Sequence, residues 1–189
     1  MQYSFEKLWQ LIIQFSVVIF LVIGPSSAQG IKGDDNILNL LIDCPNNSRC
    51  IYSGQKLFPI NIIIKNNSDQ NLEIPLEAIK YFLTNDYLKD TRTGKIVGDF
   101  VPPGVPMPEL LKELTLLPAH GSKIIEASYS KKNIKKAFKE AHFNQIIYYV
   151  STVVYAHLQG SKEPIGFYKD GKFEPKPFVL EAEKVITKK

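Results

Sequence analysis

The stretch Gln145-Ile-Ile-Tyr-Tyr-Val-Ser-Thr-Val-Val-Tyr-Ala-His-Leu158 decides the fold. Tyr148, Val150, Thr152, Val154, Ala156 and Leu158 form one row, and Tyr149, Ser151, Val153, Tyr155 and His157 form the other. Side chains of a β-strand point alternately to opposite faces, so a two-residue period over this length is a strand signal. Both rows carry bulky residues, which predicts a central strand with a neighbour on each side.

The same alternation runs outward in both directions. In Ile37–Asp43, Leu38, Leu40 and Ile42 share a face; in Lys56–Lys65, Phe58, Ile60, Ile62 and Ile64 do, with Asn61 and Lys65 opposite. Pro59 has no N–H to donate, so this strand either begins near a sheet edge or pairs fully only after the proline. The run Asn66-Asn-Ser-Asp-Gln-Asn71 is a turn by composition, after which Leu72-Glu-Ile-Pro75 resumes the chain. Ile79–Leu83 and Lys95–Val101, joined through Asp90-Thr-Arg-Thr-Gly94, read as a hairpin. Leu114–Leu117 and Ser122–Tyr129 are expected strands around Pro118-Ala-His-Gly121, the second with Ile125, Ala127 and Tyr129 on one face. Asp170-Gly171 predicts a two-residue hairpin turn, and Phe178, Leu180, Ala182 and Ile186 mark a last strand. One segment departs from period two. Between Ser130 and His142, residues Ile134, Ala137, Phe138 and Ala141 fall at helical spacing, predicting an amphipathic helix over about 131–142 capped by Ser130. Short strands punctuated by turns, with one short helix, predict a mainly β fold: an antiparallel two-sheet sandwich forming a single domain over 37–189.

Two of these turns carry a resemblance. Ile62-Ile-Ile-Lys-Asn66-Asn-Ser68-Asp-Gln-Asn-Leu72-Glu-Ile74 resembles the strand, Asn-X-Ser turn and strand of bacterial exported immunoglobulin-like modules. Leu114-Thr-Leu-Leu-Pro118-Ala-His-Gly121-Ser122 is similar to the Leu-x-Pro-Gly-(Glu/Gln)-Ser turn of the same modules, with Ala119 and His120 standing between the proline and the glycine. The resemblance covers residues 37–158 and rests on turn chemistry. It implies an immunoglobulin-like fold, and such modules commonly bind other proteins, act as accessory domains or inhibit proteases. Fold does not assign an activity.

Composition sets the remaining bounds. The chain has 189 residues, 44% hydrophobic and 22% charged, with two cysteines and a net charge of +4, which excludes disordered, collagen-like and disulfide-dense classes. Met1–Lys7 is followed by an apolar stretch from Leu8 to Ile23 and then by Gly24-Pro25-Ser26-Ser27-Ala28. This matches a secretory signal cleaved before Gln29, with an uncleaved anchor over 1–28 as the alternative. Residues 29–36 form a polar, Gly-containing leader, and the expected location is periplasmic or extracellular. Cys44 and Cys50, with five residues between them, are expected to form a disulfide closing a small loop. A zinc site would need partner ligands that the neighbourhood lacks, and a redox motif would have two intervening residues. Asn46 and Asn66 head Asn-X-Ser sequons.

The residues for catalysis are scattered. His120, His142 and His157 fall in a turn, at a helix end and on a strand, without HExxH or His-x-His spacing. No Gly-x-Ser-x-Gly elbow occurs, Ser122 has no assigned base, and Asp34-Asp35 and Glu181/Glu183 fall in the leader and on an outward row. No metal or cofactor is implied, and the expectation is a non-enzymatic protein. Two features suit binding instead. Lys131, Lys135 and Lys139 repeat at i, i+4 and i+8, so they repel along one helix face and suit an acidic partner or an anionic surface. The loop Pro102-Pro103-Gly104-Val105-Pro106-Met107-Pro108 is stiffened by four prolines and suits a rigid contact. Tyr149, Tyr155 and Tyr168 are candidates for a ligand surface or for half-buried packing. Nucleic acid is not expected, because no aromatic residues interleave with the lysines. The partner expected is another exported or envelope protein, with a membrane involved only if 1–28 is retained. An inhibitor or immunity protein acting through the proline loop, and a membrane-tethered structural subunit, are the alternative readings.

Overall fold

The computed structural model describes residues 36–45, 49–100 and 108–189. The signal or anchor segment, residues 29–35 of the leader and the Asn46 sequon lie outside them. The described chain is mainly β, in several sheets, with one helix of more than two turns.

The central stretch forms β9 (Gln145–Val154), ten residues with strict alternation of buried and half-buried side chains. It is the middle strand of a five-stranded sheet, β2-β13-β9-β5-β6, formed with β2 (Ile51–Tyr52), β5 (Thr84–Asp90), β6 (Ile96–Val97) and β13 (Phe178–Lys188). β13 and β5 both run antiparallel to β9, and β2 adds to the end of β13 in parallel. The second sheet has the order β1-β3-β8, with β1 (Leu38–Asp43), β3 (Leu57–Asn66) and β8 (Ser122–Ser130). β3 is therefore central rather than an edge. The missing N–H of Pro59 is accommodated because the β1 pairing ends at Asp43 opposite Asn61, while β8 pairs along nearly the whole of β3.

The inner rows of the two sheets face each other. Phe58, Ile60, Ile62 and Ile64 of β3 and Ile146, Tyr148, Val150, Thr152 and Val154 of β9 are buried. Tyr52 of β2 meets Phe58 edge-on, with ring centroids 6.2 Å apart, and Tyr129 of β8 meets Tyr148 of β9 at 5.7 Å. Close packing of such apolar rows is the main stabilising term, at roughly 1.5–3 kcal/mol per large side chain buried. The Tyr129 hydroxyl donates to Asp86 on β5 at 2.7 Å. Burial, reinforced by the Asp86 charge, pushes both the Tyr129 and Tyr148 hydroxyls far above the ordinary tyrosine value.

A small sheet, β10-β4-β7, closes one end: β4 (Leu72–Ile74), β7 (Thr115–Leu117) and β10 (His157–Leu158). β11 (Gly166–Lys169) and β12 (Lys172–Pro175) form a separate hairpin whose turn residues, Asp170 and Gly171, have φ of 50° and 75°. Positive φ at both positions is what an Asp-Gly two-residue turn supplies.

The hairpin expected from Ile79–Leu83 and Lys95–Val101 is displaced. Residues Leu76–Ala78 make a helical turn that continues as a wide turn through Ile79–Leu83, and β5 begins only at Thr84. A short apolar run does not distinguish strand from helix by period. Here Pro75 starts the turn, and the Thr84 hydroxyl closes it by donating to the Ile79 carbonyl at 2.7 Å. The hairpin partners are β5 and β6, joined through the expected Asp90–Gly94 turn.

Cys44 and Cys50 are bonded, with Cα atoms 5.3 Å apart. The bridge lies where the chain leaves β1 in one sheet and enters β2 in the other, and the Cys50 carbonyl accepts from the Thr187 N–H of β13.

Candidate interaction surface

The helix spans Lys131–Ala141. It begins where β8 ends because the Ser130 hydroxyl accepts from the Asn133 N–H at 3.2 Å, satisfying one of the free donors of the first turn. It stops at His142, which adopts a left-handed conformation with φ of 50°. The expected apolar stripe is the buried one: Ile134, Ala137, Phe138 and Ala141. Phe138 stacks on Tyr52 with centroids 5.9 Å apart, so the helix is pinned over one end of the facing sheets.

Successive residues advance by about 100° around a helix, which separates its polar residues into two flanks. One flank is tied internally. Lys136 pairs with Asp99 and approaches Glu140 at 3.9 Å. The Gly98 N–H donates to Glu140 at 2.7 Å and the Asp99 N–H to Asn133 Oδ1 at 2.9 Å. Gly98 has φ of +81°, and a Cβ there would stand 2.5 Å from Asn133 Oδ1, so only glycine allows this approach. The ammonium of Lys136 holds the Asp99 carboxyl below its ordinary value, and Asp99 raises Lys136 in return.

The other flank carries Lys131, Lys135 and Lys139, all exposed and in no ion pair among the described residues. At 1.5 Å rise per residue their Cα atoms recur about every 6 Å. Like charges at this spacing destabilise a helix by roughly 0.2–0.5 kcal/mol per pair. Lys131 and Lys132 also occupy the first turn, where the helix dipole favours acids and the sequence has none. At the far end the Arg92 guanidinium donates to the Ala141 carbonyl and lies 5.2 Å from the centre of the Phe143 ring. Arg92 is itself paired with Asp90 at 3.6 Å, so it caps the helix end without adding net positive charge to the lysine row.

The other candidates singled out by the sequence are dispersed. Pro102, Pro103, Val105, Pro106 and Met107 lie outside the described residues; Pro108 is an exposed turn residue. The stem entering that loop, Gly98-Asp99, is held against the helix flank opposite the lysine row, so stem and row are not one surface. Tyr149 lies on the outer face of the five-stranded sheet, its hydroxyl donating to Glu181 at 2.8 Å. Tyr168 belongs to the separate β11–β12 hairpin and packs on Phe173, and Tyr155 is exposed beyond the end of β9. The three tyrosines form no common site. His120 bonds to Asp69 at 2.8 Å, both exposed on open turns; His142 ends the helix; His157 sits opposite Glu73 in the small sheet. Among the described residues no nucleophile is hydrogen-bonded to a histidine, and no group of three metal-ligating side chains converges.

Asn66 has a role that its sequon does not announce. It is completely buried, which removes it as a glycosylation acceptor. Its Oδ1 accepts from the N–H and the hydroxyl of Ser68 at 3.0 and 2.7 Å, and its Nδ2 donates to the carbonyls of Gln70, Pro118 and Leu117 at 2.7, 3.0 and 3.2 Å. The Ala119 N–H donates to Asn71 Oδ1 at 2.9 Å and the His120 N–H to the Ser68 carbonyl at 3.3 Å. The two turns that carry the immunoglobulin-like resemblance are therefore docked on each other through Asn66. The signal in the sequence is an Asn in an Asx-prone turn directly after a buried strand row.

No family model matches the chain and no curated protein matches it. Among solved structures it is similar to the structural-genomics target SoR45, with 16% identity, TM-score 0.35, and coverage of 78% of this chain and 88% of that one. It is also similar to an ASH/PapD-like domain of human CEP192, with 9% identity, TM-score 0.33, and coverage of 84% and 89%. A bacterial adhesin from Mobiluncus mulieris containing intramolecular disulfide, isopeptide and ester bond cross-links shares 9% identity at TM-score 0.33, over 80% of this chain and 57% of that one. These likenesses supply no residue-by-residue correspondence for a site.

Proposed function

We propose that this protein is an exported, non-enzymatic binding or accessory module of immunoglobulin-like design, acting through protein–protein contacts. Strand order supports the immunoglobulin-like reading. β1, β3 and β8 stand where strands A, B and E of that fold stand, and β5, β9 and β13 where C, F and G stand, with β6 in the C′ position. The Cys44–Cys50 bond supports a location outside the cytosol, where disulfides persist.

The observation that carries the binding reading is the lysine row. The same helix pairs Lys136 with Asp99 and Glu140, yet Lys131, Lys135 and Lys139 are in no ion pair among the described residues. A row of three cations at a pitch of about 6 Å matches carboxylates at i, i+4 and i+8 of a partner helix, or on alternate residues of a strand. The partner is an acidic face of another exported protein. The apolar stripe of the helix is spent on the core, so the contact is electrostatic and rim-like, governing association rate and salt dependence.

Affinity capture from an envelope extract of the native source, with wild-type and Lys131→Gln/Lys135→Gln/Lys139→Gln baits side by side, tests this. The expected result is a partner held by the wild type at physiological salt and lost by the triple variant. Equal recovery by both baits would mean that the lysine row does not hold the partner. Hydrolysis of an ester, peptide or glycoside substrate that one point substitution abolishes would overturn the non-enzymatic reading.

A further inference from the structure

We infer that the free edge of β8 is a strand-addition site, and that its occupant is an extended segment of another exported protein. The inference goes beyond the lysine row: it uses the backbone of a strand, and the outcome for one surface does not decide the other.

The ladder between β3 and β8 closes at both ends on odd-numbered residues of that stretch. The Asn66 N–H donates to the Gly121 carbonyl at 2.9 Å, and the Lys131 N–H donates to the Lys56 carbonyl at 2.9 Å. Every pair between them keeps the same register, with no bulge. Alternate residues of an antiparallel strand turn their N–H and C=O toward a given neighbour. Lys123, Ile125, Ala127 and Tyr129 therefore spend theirs on β3, and Ser122, Ile124, Glu126 and Ser128 turn theirs away from it. None of these outward N–H groups and carbonyls finds a partner among the described residues.

An open sheet edge invites pairing with another chain, so proteins ordinarily shorten it, cover it or place lysine or proline on it. The other edges of the two main sheets follow this rule. β2 and β6 have two residues each, and β1, on the far side of β3, lies against β13. β8 is nine residues long, has no proline or glycine, and carries its only lysine, Lys123, beside the turn.

Two features name the occupant. The outward groups recur every second residue, about 6.8 Å apart, a spacing of alternating donors and acceptors that another extended backbone matches. The side chains then set its pattern. Leu41, Ile63 and Ile124 form one row across the outer face of this sheet, and the row ends at the free edge with Ile124 54% exposed. The next row, Asp43, Asn61 and Glu126, ends there on a carboxylate in no ion pair among the described residues, which Lys80 reaches only at longer range. An added strand continues both rows with an apolar residue beside Ile124 and, two positions away, a basic one beside Glu126. β8 of a second copy is the poorer fit, because its outward row from Ser122 to Ser130 has no basic residue.

A capped peptide of alternating valine and threonine with one central lysine is the probe, and amide hydrogen exchange read by NMR is the measurement. In the protein alone the N–H groups of Ile124, Glu126 and Ser128 should exchange rapidly, while those of Ile125, Ala127 and Tyr129 are protected. Peptide at about ten times its dissociation constant should slow the first set about tenfold. Replacing the peptide's lysine by glutamate should weaken binding roughly fivefold, and Glu126→Lys should reverse that preference. Ser128→Pro removes an N–H that the fold does not use, so it should keep the wild-type fold and bind at least about tenfold more weakly. Protection of the first set in the free protein, no change with the peptide at about millimolar concentration, or equal binding by Ser128→Pro would each overturn the inference. Protection that grows with protein concentration alone would overturn it in favour of a second copy.

Discussion

Removing the side chain of Asn66 tests how the two turns are held. Its amide has two N–H donors spread over three carbonyls, and its carbonyl oxygen accepts twice from Ser68, making about four effective hydrogen bonds in a site without water contact. At about 0.5–1.5 kcal/mol each, less whatever the turns recover by relaxing, Asn66→Ala is expected to cost about 2–4 kcal/mol. For a chain of this size that lowers the melting temperature by roughly 5–15 °C. Asn66→Asp keeps the acceptor for Ser68 but turns an oxygen toward three carbonyls. Burial among acceptors favours the neutral acid, so the folded pKa of this new carboxyl is raised above the unfolded value of about 3.9. A raised folded pKa gives stability that is present below the unfolded value and lost as pH rises through the folded one. The aspartate variant should therefore fall further behind the wild type at pH 7 than at about pH 4. Urea titrations at both pH values measure this. A cost under about 1 kcal/mol for the alanine, or an aspartate penalty that shrinks as pH rises, would refute the role given to Asn66.

Two further outcomes concern the core and the crossover. Of the nine tyrosines, Tyr129 and Tyr148 should stay unionised in an ultraviolet titration until the protein unfolds, because burial and Asp86 raise both. Their raised folded pKa means stability is lost as pH climbs past about 10, and smooth titration of all nine in the folded state would contradict this. Replacing Cys44 and Cys50 by alanine should cost roughly 2–2.5 kcal/mol by the loop-entropy model. Hydrogen exchange should rise first at Thr187 and Lys189, whose N–H groups donate to the Cys50 and Tyr52 carbonyls, and protection there equal to wild type would count against that coupling.

Much of the fold is legible in the sequence because burial writes a local period into the chain. The rows of β3, β9 and β13 are those the alternation separates, and the helix stripe of Ile134, Ala137, Phe138 and Ala141 is the one that is buried. Sheet membership is not legible. β2 lies next to β13 only through the fold, and no local pattern in Ile51–Tyr52 announces a parallel partner near the opposite end of the chain. Ile79–Leu83 misleads because five residues are too few for a period, and the helical signals, Pro75 and the Glu77–Lys80 pair, lie at its edge. The lysine row is visible as spacing. Its significance comes from the other flank, since the sequence does not show that Asp99 and Glu140 are committed to Lys136. The outward bulk of β9 is visible too, as the mark of a central strand. The strand is central, and the same residues still face outward, with Val179, Val185 and Ile96 beside them.

The central claim is that the molecule works by presenting surfaces, with Lys131, Lys135 and Lys139 meeting an acidic protein. Association kinetics of the captured partner, measured across a salt series with the wild type and the triple glutamine variant, address it most directly. The association rate should drop at least about tenfold on replacing the three lysines at low salt, converging with the wild type at high salt as screening removes the difference. Identical rates and identical salt dependence for the two proteins would contradict it.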